Sequence, residues 1–182
     1  MKPCKTALSI IPGRLEYRSA TRDDYRALSR HHYRDRPPAT FCEIRGAWHV
    51  CGKRRTAKLV GVAVLSWPVP MLGARRQHFS FPPGYGEALR FANANLRTIS
   101  RVIVHPQYRA IGIGAELVRQ LIANCRTRYV ETSATMGDFA SCFTAAGMTR
   151  IGTTIHPSTD SRKTEPAYFV FDRHASPSEE TP

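Results

Sequence analysis

Val102-Ile103-Val104-His105-Pro106-Gln107-Tyr108-Arg109-Ala110-Ile111-Gly112-Ile113-Gly114-Ala115 is the stretch on which the fold turns. It reads as a buried strand over 97–105, halted at Pro106, then a short loop and a helix that starts at the second glycine. That helix is predicted over 114–126, because Ala115, Leu117, Val118, Leu121, Ile122 and Cys125 recur at helical spacing and form one broad apolar face. The unpaired N–H groups of such a first turn point outward, and the helix dipole adds about half a positive charge there. A phosphate group suits that position. Glycines let the main chain approach an anion closely, and Arg109 adds a charge-assisted contact. A dinucleotide fingerprint needs a third glycine where this chain has Leu117, and a nucleoside-triphosphate loop needs a Gly-Lys-Ser/Thr ending that is absent. An ordinary tight turn is the plain alternative.

The rest of the chain alternates strands with helices around this point. Residues 14–18 alternate like a short strand. Thr21 is a good N-cap, and Asp23 and Asp24 complement the positive end of a helix predicted over 22–33. On that helix His32 shares a face with Tyr25 and Leu28 and so points inward. Strands over 41–50 and 58–67 flank the basic turn Gly52-Lys53-Arg54-Arg55, and the almost wholly apolar run 59–65 suits a central strand. Pro68, Pro70, Pro82, Pro83, Gly84 and Gly86 predict a long surface loop over 68–94. Downstream, 129–134 reads as a strand. A short helix from about 138 carries Phe139, Cys142, Phe143 and Ala146 on one face and is stopped by Gly147. Strands over 148–155 and 167–172 follow. The order predicts a single mixed α/β domain over 14–173, with an amino-terminal arm over 1–13 and a loose polar tail over 174–182.

Composition narrows the partners. The net charge is +13, from 27 Lys and Arg against 14 Asp and Glu. Residues 1–60 hold 14 of these cations and 5 of the anions. Most of the cations are arginine, which forks bidentately onto phosphates. Such a surface attracts polyanions without reading sequence, so nucleic acid or a phosphorylated molecule is a candidate partner; an ordinary solvated surface is the plain reading. No apolar run approaches the roughly 20 residues that span a bilayer, and the apolar stretch after Lys5 is too short for a signal-peptide core, which predicts a cytoplasmic protein without a membrane partner. Five cysteines with no C-x-x-C pair predict neither a disulfide framework nor a metal site.

Arg109-x-x-Gly112-x-Gly114, directly after the strand and Pro106, resembles the acetyl-CoA motif (Q/R-x-x-G-x-G/A) of the GCN5-related N-acetyltransferase superfamily. The resemblance covers residues 96–148 well, including Phe143-x-x-x-Gly147-Met148, and extends in element order over 15–173. It implies a mostly antiparallel sheet flanked by helices and an enzyme moving an acetyl or related acyl group from CoA to an amine. It also implies that Arg109, Ala110, Gly112, Ile113, Gly114 and Ala115 hold the pyrophosphate of acetyl-CoA, the co-substrate. Ile103 and Val104 are then the backbone contacts of the pantetheine arm and the thioester oxygen.

The chain departs from the family pattern where a tyrosine commonly protonates the departing thiolate: here that position is Phe143. Ser141, Cys142 and Thr144 lie nearby, or solvent serves. Glu131, on the strand after the motif helix, is the candidate general base, with a surface or paired carboxylate as the plain reading. Ser100 and Thr98 alternate along the preceding strand and can line the site. His32 is a candidate substrate-side base, or a satisfied core histidine. The helix-end His-Tyr, Thr98-Ile99-Ser100-Arg101-Val102 and 131–136 also resemble, more faintly, the phage-associated DNA-modifying branch of the superfamily, which raises nucleic acid as an acceptor. The rival from another class is a catalytically idle, nucleic-acid-binding version of the fold.

Overall fold

Helix α1, Arg22–Ser29, starts where the sequence places it, because Thr21 and Asp24 close a reciprocal capping box. Thr21 Oγ1 accepts from the Asp24 N–H at 3.2 Å, and Asp24 Oδ2 accepts from the Thr21 N–H at 2.8 Å. The helix stops at Ser29, not at residue 33 as predicted. The Ser29 hydroxyl turns back onto the Arg26 carbonyl at 2.8 Å, and His31 and His32 donate to Leu28 and Ser29 at three-residue spacing. That tightening leaves His31, His32 and Tyr33 beyond the α-helix.

The computed structural model describes residues 13–33, 36–52, 56–70, 72–135, 141–153 and 166–175. The predicted amino-terminal arm, the basic turn 53–55, most of the carboxy-terminal tail and Phe139 lie outside the described residues, apart from Gly13, His174 and Ala175. The fold is mixed α/β, with a seven-stranded, mostly antiparallel sheet in the order β1-β2-β3-β4-β5-β7-β6. Two compact units divide the chain, Met1–Ser66 with Ile99–Asn124 and Trp67–Thr98 with Cys125–Pro182. Among the described residues no helix is long and apolar enough to cross a membrane.

In the first unit β1 (Arg14–Ser19), β2 (Glu43–Cys51) and β3 (Thr56–Ser66) form an antiparallel series, with Tyr17 opposite Ala47 and Ala47 opposite Gly61. Residues 60–66 of β3 are all buried, as expected of an interior β-branched run. Tyr25 and Leu28 of α1 pack on Ile44, Val62, Val64 and Ile103. Helix α4, Ile113–Asn124, begins one residue before its predicted start and buries Ile113, Ala115, Leu117, Val118, Leu121 and Ile122. Gly61 is what lets it approach β3. A Cβ there would sit 2.9 Å from Ile113 Cγ2 and 3.0 Å from Leu117 Cδ1. Gly61→Val should therefore cost about 1–3 kcal/mol in overpacking, read as a lower urea midpoint at an unchanged slope. A midpoint equal to that of the native chain would show that α4 does not rest on this strand.

In the second unit the first residues of β4 (Leu96–Val104) pair in parallel with β5 (Tyr129–Ala134), Leu96 with Tyr129 through Thr98 with Glu131. The strand β7 (Ala167–Asp172) runs antiparallel to β5, and β6 (Thr149–Thr153) antiparallel to β7. The predicted loop over 68–94 is corrected here: it holds α2 (Gly73–His78) and α3 (Tyr85–Asn95). Pro82, Pro83 and the N-cap Gly84 precede α3 and so start that helix without interrupting it. The α2 residue Ala74 packs with Tyr168 and Val170, against Leu72, Phe79 and Tyr129. The short α5, Cys142–Ala145, ends in a Schellman turn at Gly147 (φ 91°). Met148 N–H reaches Phe143 O at 3.0 Å and Gly147 N–H reaches Thr144 O at 2.9 Å.

Candidate functional site

The turn after β4 is built to leave main-chain donors unspent. His105 N–H still bonds Val60 O of β3 at 2.9 Å. By the alternation of an antiparallel ladder, the Ile103 N–H then faces β3 and the Val104 N–H faces the opposite edge. Described pairing with β5 is confined to Leu96, Arg97 and Thr98. Ile103 is thus a core side chain whose backbone serves the sheet, and Val104 is the better placed backbone donor of the predicted pair.

After β4 the chain makes a single 3-10 turn, Pro106–Tyr108, fixed by aromatic contacts. Tyr108 OH lies 2.9 Å from His49 Nδ1, and the His105 ring meets Tyr108 at 5.9 Å and His31 at 5.0 Å, both edge-on. The His105 pKa is held below the ordinary 6.5 by partial burial and by the charges of Lys58, His31, Arg30 and Arg109. Ala110 (φ 64°) and Gly112 (φ 90°) then both adopt the left-handed conformation. For Ala110 that costs on the order of 1 kcal/mol, a strain typical of ligand clamps. Gly112 begins α4 through its carbonyl alone, which accepts from Glu116 N–H at 3.1 Å. Among the described residues no side chain caps the N–H groups of Ile113, Gly114 or Ala115. The exposed Arg109 folds back, its Nε 3.2 Å from Val104 O and its Nη2 3.5 Å from His31 O. The one carboxylate in the first turn of α4, Glu116, is turned along the helix to Arg119 and Gln120, both at 2.9 Å. Burial, then the charge of Glu116, pushes the nearby Tyr17 hydroxyl up to about 12.

The remaining predicted residues fall in different surroundings. Ser100 Oγ is 2.7 Å from Ser66 Oγ, which donates to Thr40 O at 2.6 Å, and 3.4 Å from Val64 O, so the Ser100 proton goes to Ser66 or Val64 and its oxygen is left as an acceptor. His32 lies past the end of α1, half-buried, and stacks on Tyr33 at 4.6 Å. Phe143 is buried against Phe169 at 5.3 Å, a packing role. Burial raises the Cys142 thiol pKa, which keeps it protonated.

In the second unit Glu131 is 0% exposed and Arg75 2%. Arg75 grips both carboxylate oxygens, Nε to Oε2 at 2.9 Å and Nη2 to Oε1 at 2.5 Å. Thr98 Oγ1 donates to Oε1 at 2.6 Å and Tyr168 OH to Oε2 at 2.7 Å. Burial works against the Arg75 charge, but the bond and charge of Glu131 win and the guanidinium pKa is raised. Burial, then the Glu131 charge, raises the Tyr168 pKa. Each oxygen of Glu131 accepts twice, which leaves nothing directed at solvent. Arg75 and Tyr168 were not singled out from sequence. The first stands in the segment that reads as loop, and the second in an apolar strand. Among the described residues no cluster of three His, Cys, Asp or Glu side chains fits a metal ion.

A seven-stranded, mostly antiparallel sheet flanked by helices, with a left-handed turn leading from β4 into α4, places the chain among the mixed α/β folds. The chain belongs to the acetyltransferase (GNAT) family, whose sequence model matches residues 16–142. Solved structures share the fold. The NAA60 protein of Arabidopsis thaliana, solved with acetyl-CoA, is 13% identical at a TM-score of 0.62, covering 87% of this chain and 99% of that one. The aminoglycoside acetyltransferase AAC(6')-Ib, solved with coenzyme A and kanamycin, is 16% identical at 0.54, covering 88% and 95%. No curated protein matches the chain significantly.

Proposed function

We propose that this chain is an acyl-CoA-dependent N-acyltransferase, a domain over 14–173 that moves an acetyl or related acyl group onto an amine. The observation that carries the reading is the uncapped start of α4 behind the left-handed turn, in a chain of the acetyltransferase family. Acetyl-CoA, when bound, supplies an activated thioester. The N–H groups of Gly112, Ile113, Gly114 and Ala115 hold its pyrophosphate, aided by the helix dipole, and Arg109 exchanges its two carbonyl contacts for phosphate oxygens. The Val104 N–H serves the thioester oxygen, a contact that contributes roughly 2.7–4 kcal/mol when it tightens in the transition state.

A lysine-like amine has a pKa near 10.4, so about one part in 10³ is neutral at pH 7 and its proton must be removed. Glu131 holds the second unit together and does not take that proton. Ser100 offers a lone pair that orients an amine N–H, and because its own proton leads only to backbone carbonyls, Val64 directly or Thr40 through Ser66, this reading does not make it the base. His32 is the base this reading retains, and with Phe143 unable to donate, solvent protonates the thiolate. The comparisons support the family and not its DNA-modifying branch; nucleic acid as acceptor rests on the +13 charge alone. Calorimetry should give saturable acetyl-CoA binding, and an amine screen over small amines, peptides, tRNA and DNA should release CoA. Absence of acetyl-CoA binding, together with salt-steep nucleic-acid binding that CoA does not alter, would favour an idle binding module.

A further inference from the structure

Arg101 takes no part in the site described so far. On β4 it shares the core face of Ile99 and Ile103 and is 9% exposed. Its Nη1 donates to Ser100 O and its Nη2 to Arg36 O, each at 2.7 Å, and its Nε has no hydrogen-bond partner. Among the described residues no carboxylate pairs with it. Two neutral carbonyls do not compensate a buried cation, one of the costliest groups a fold can hold without an anion. The uncommitted Nε and the spare terminal hydrogens form the forked edge that receives a carboxylate or a phosphate bidentately. Arg101 lies three residues before Val104, about 10 Å back along the strand, and so is separated from the phosphate cradle at 110–115.

The geometry points to Arg101 as an anion-recognition residue for the acceptor, which makes the substrate an amine that also carries a carboxylate or phosphate. This rests on the acyltransferase reading, and the excess of cations in residues 1–60 agrees with an anionic partner. The test uses inorganic phosphate and acetate as probes at constant ionic strength, with acetyl-CoA saturating so that the cradle is filled. Should acetyl-CoA not bind, which would sink the acyltransferase reading by itself, the Gly114→Glu chain replaces that condition. The thermal midpoint of the native chain should rise with one probe or both, and the more effective one identifies the anion class. Arg101→Gln should weaken that probe about 10- to 100-fold, and Arg101→Lys less. If the glutamine variant does not fold, Arg101→Lys carries the comparison, with a weakening of about 10-fold expected against none for a packing role. Equal responses in native and variant chains, or none in either, overturn the inference. So does an Asp35→Asn variant that loses as much stability as Arg101→Gln with no added loss in the double variant, since Arg101 would then serve a carboxylate of its own chain.

Discussion

Glu131→Ala should cost the fold about 3–5 kcal/mol, enough to unfold many domains of this size. The reason is the guanidinium left behind. Arg75 is 2% exposed, and without Glu131 it keeps only the Val69 carbonyl, at 2.7 Å, among these contacts. Thr98 and Tyr168 lose an acceptor at the same stroke, and each buried hydroxyl left unpaired adds about 1–3 kcal/mol of desolvation unless it finds another partner. Arg75→Met with Glu131→Leu should recover most of the loss, because two apolar side chains leave no orphaned charge. Urea denaturation of both single variants and the double one measures this coupling. A double variant as unstable as the sum of the singles would mean that the pair does not act as a unit. The glutamine variant adds a catalytic readout. Where Glu131→Gln folds, the pH profile of acetyl transfer should keep its native shape, and a lost acidic limb would restore Glu131 as the proton acceptor.

Gly114→Glu should abolish acetyl-CoA binding while leaving the fold intact. A carboxylate about 4 Å from a phosphate opposes it by about 4 kcal/mol at an effective dielectric of 20, roughly a 10³-fold loss of affinity. The same substitution suits the helix. Glutamate is a better helix former than glycine by about 0.5 kcal/mol, and a negative charge in the first turn is favourable by a further 0.3–1 kcal/mol. Binding and stability are thus expected to move in opposite directions, which separates a lost ligand site from a damaged domain. Calorimetry with acetyl-CoA beside a thermal melt reads both. An unchanged dissociation constant would remove the cradle from this turn.

The Glu131 clamp and the proposed cradle were not equally legible in the residues. The cradle is local: a β-branched strand, Pro106, two glycines and an amphipathic helix lie within thirty residues, so their periodicities expose the turn directly. The bounds of β5 and β7 agree with those read from the residues, β7 from its strongly β-prone run, and the start of α1 follows from Thr21 and Asp24. Segment 68–94 misled because prolines and glycines mark helix starts as readily as loops, and its two helices are short. Arg101 could have been noticed, since a cation in register with Ile99 and Ile103 breaks the apolar face of a buried strand.

By itself the sequence determined the family, the mixed α/β order and the strand-turn-helix in which the anion cradle is proposed, because each depends on neighbours a few residues apart. Only the tertiary structure decided what Glu131 does. Its partners Arg75 and Tyr168 stand 56 and 37 residues away, and no pattern of spacing predicts a hydrogen bond across such a separation. A carboxylate becomes a base or a clamp according to what surrounds it, and packing sets those surroundings.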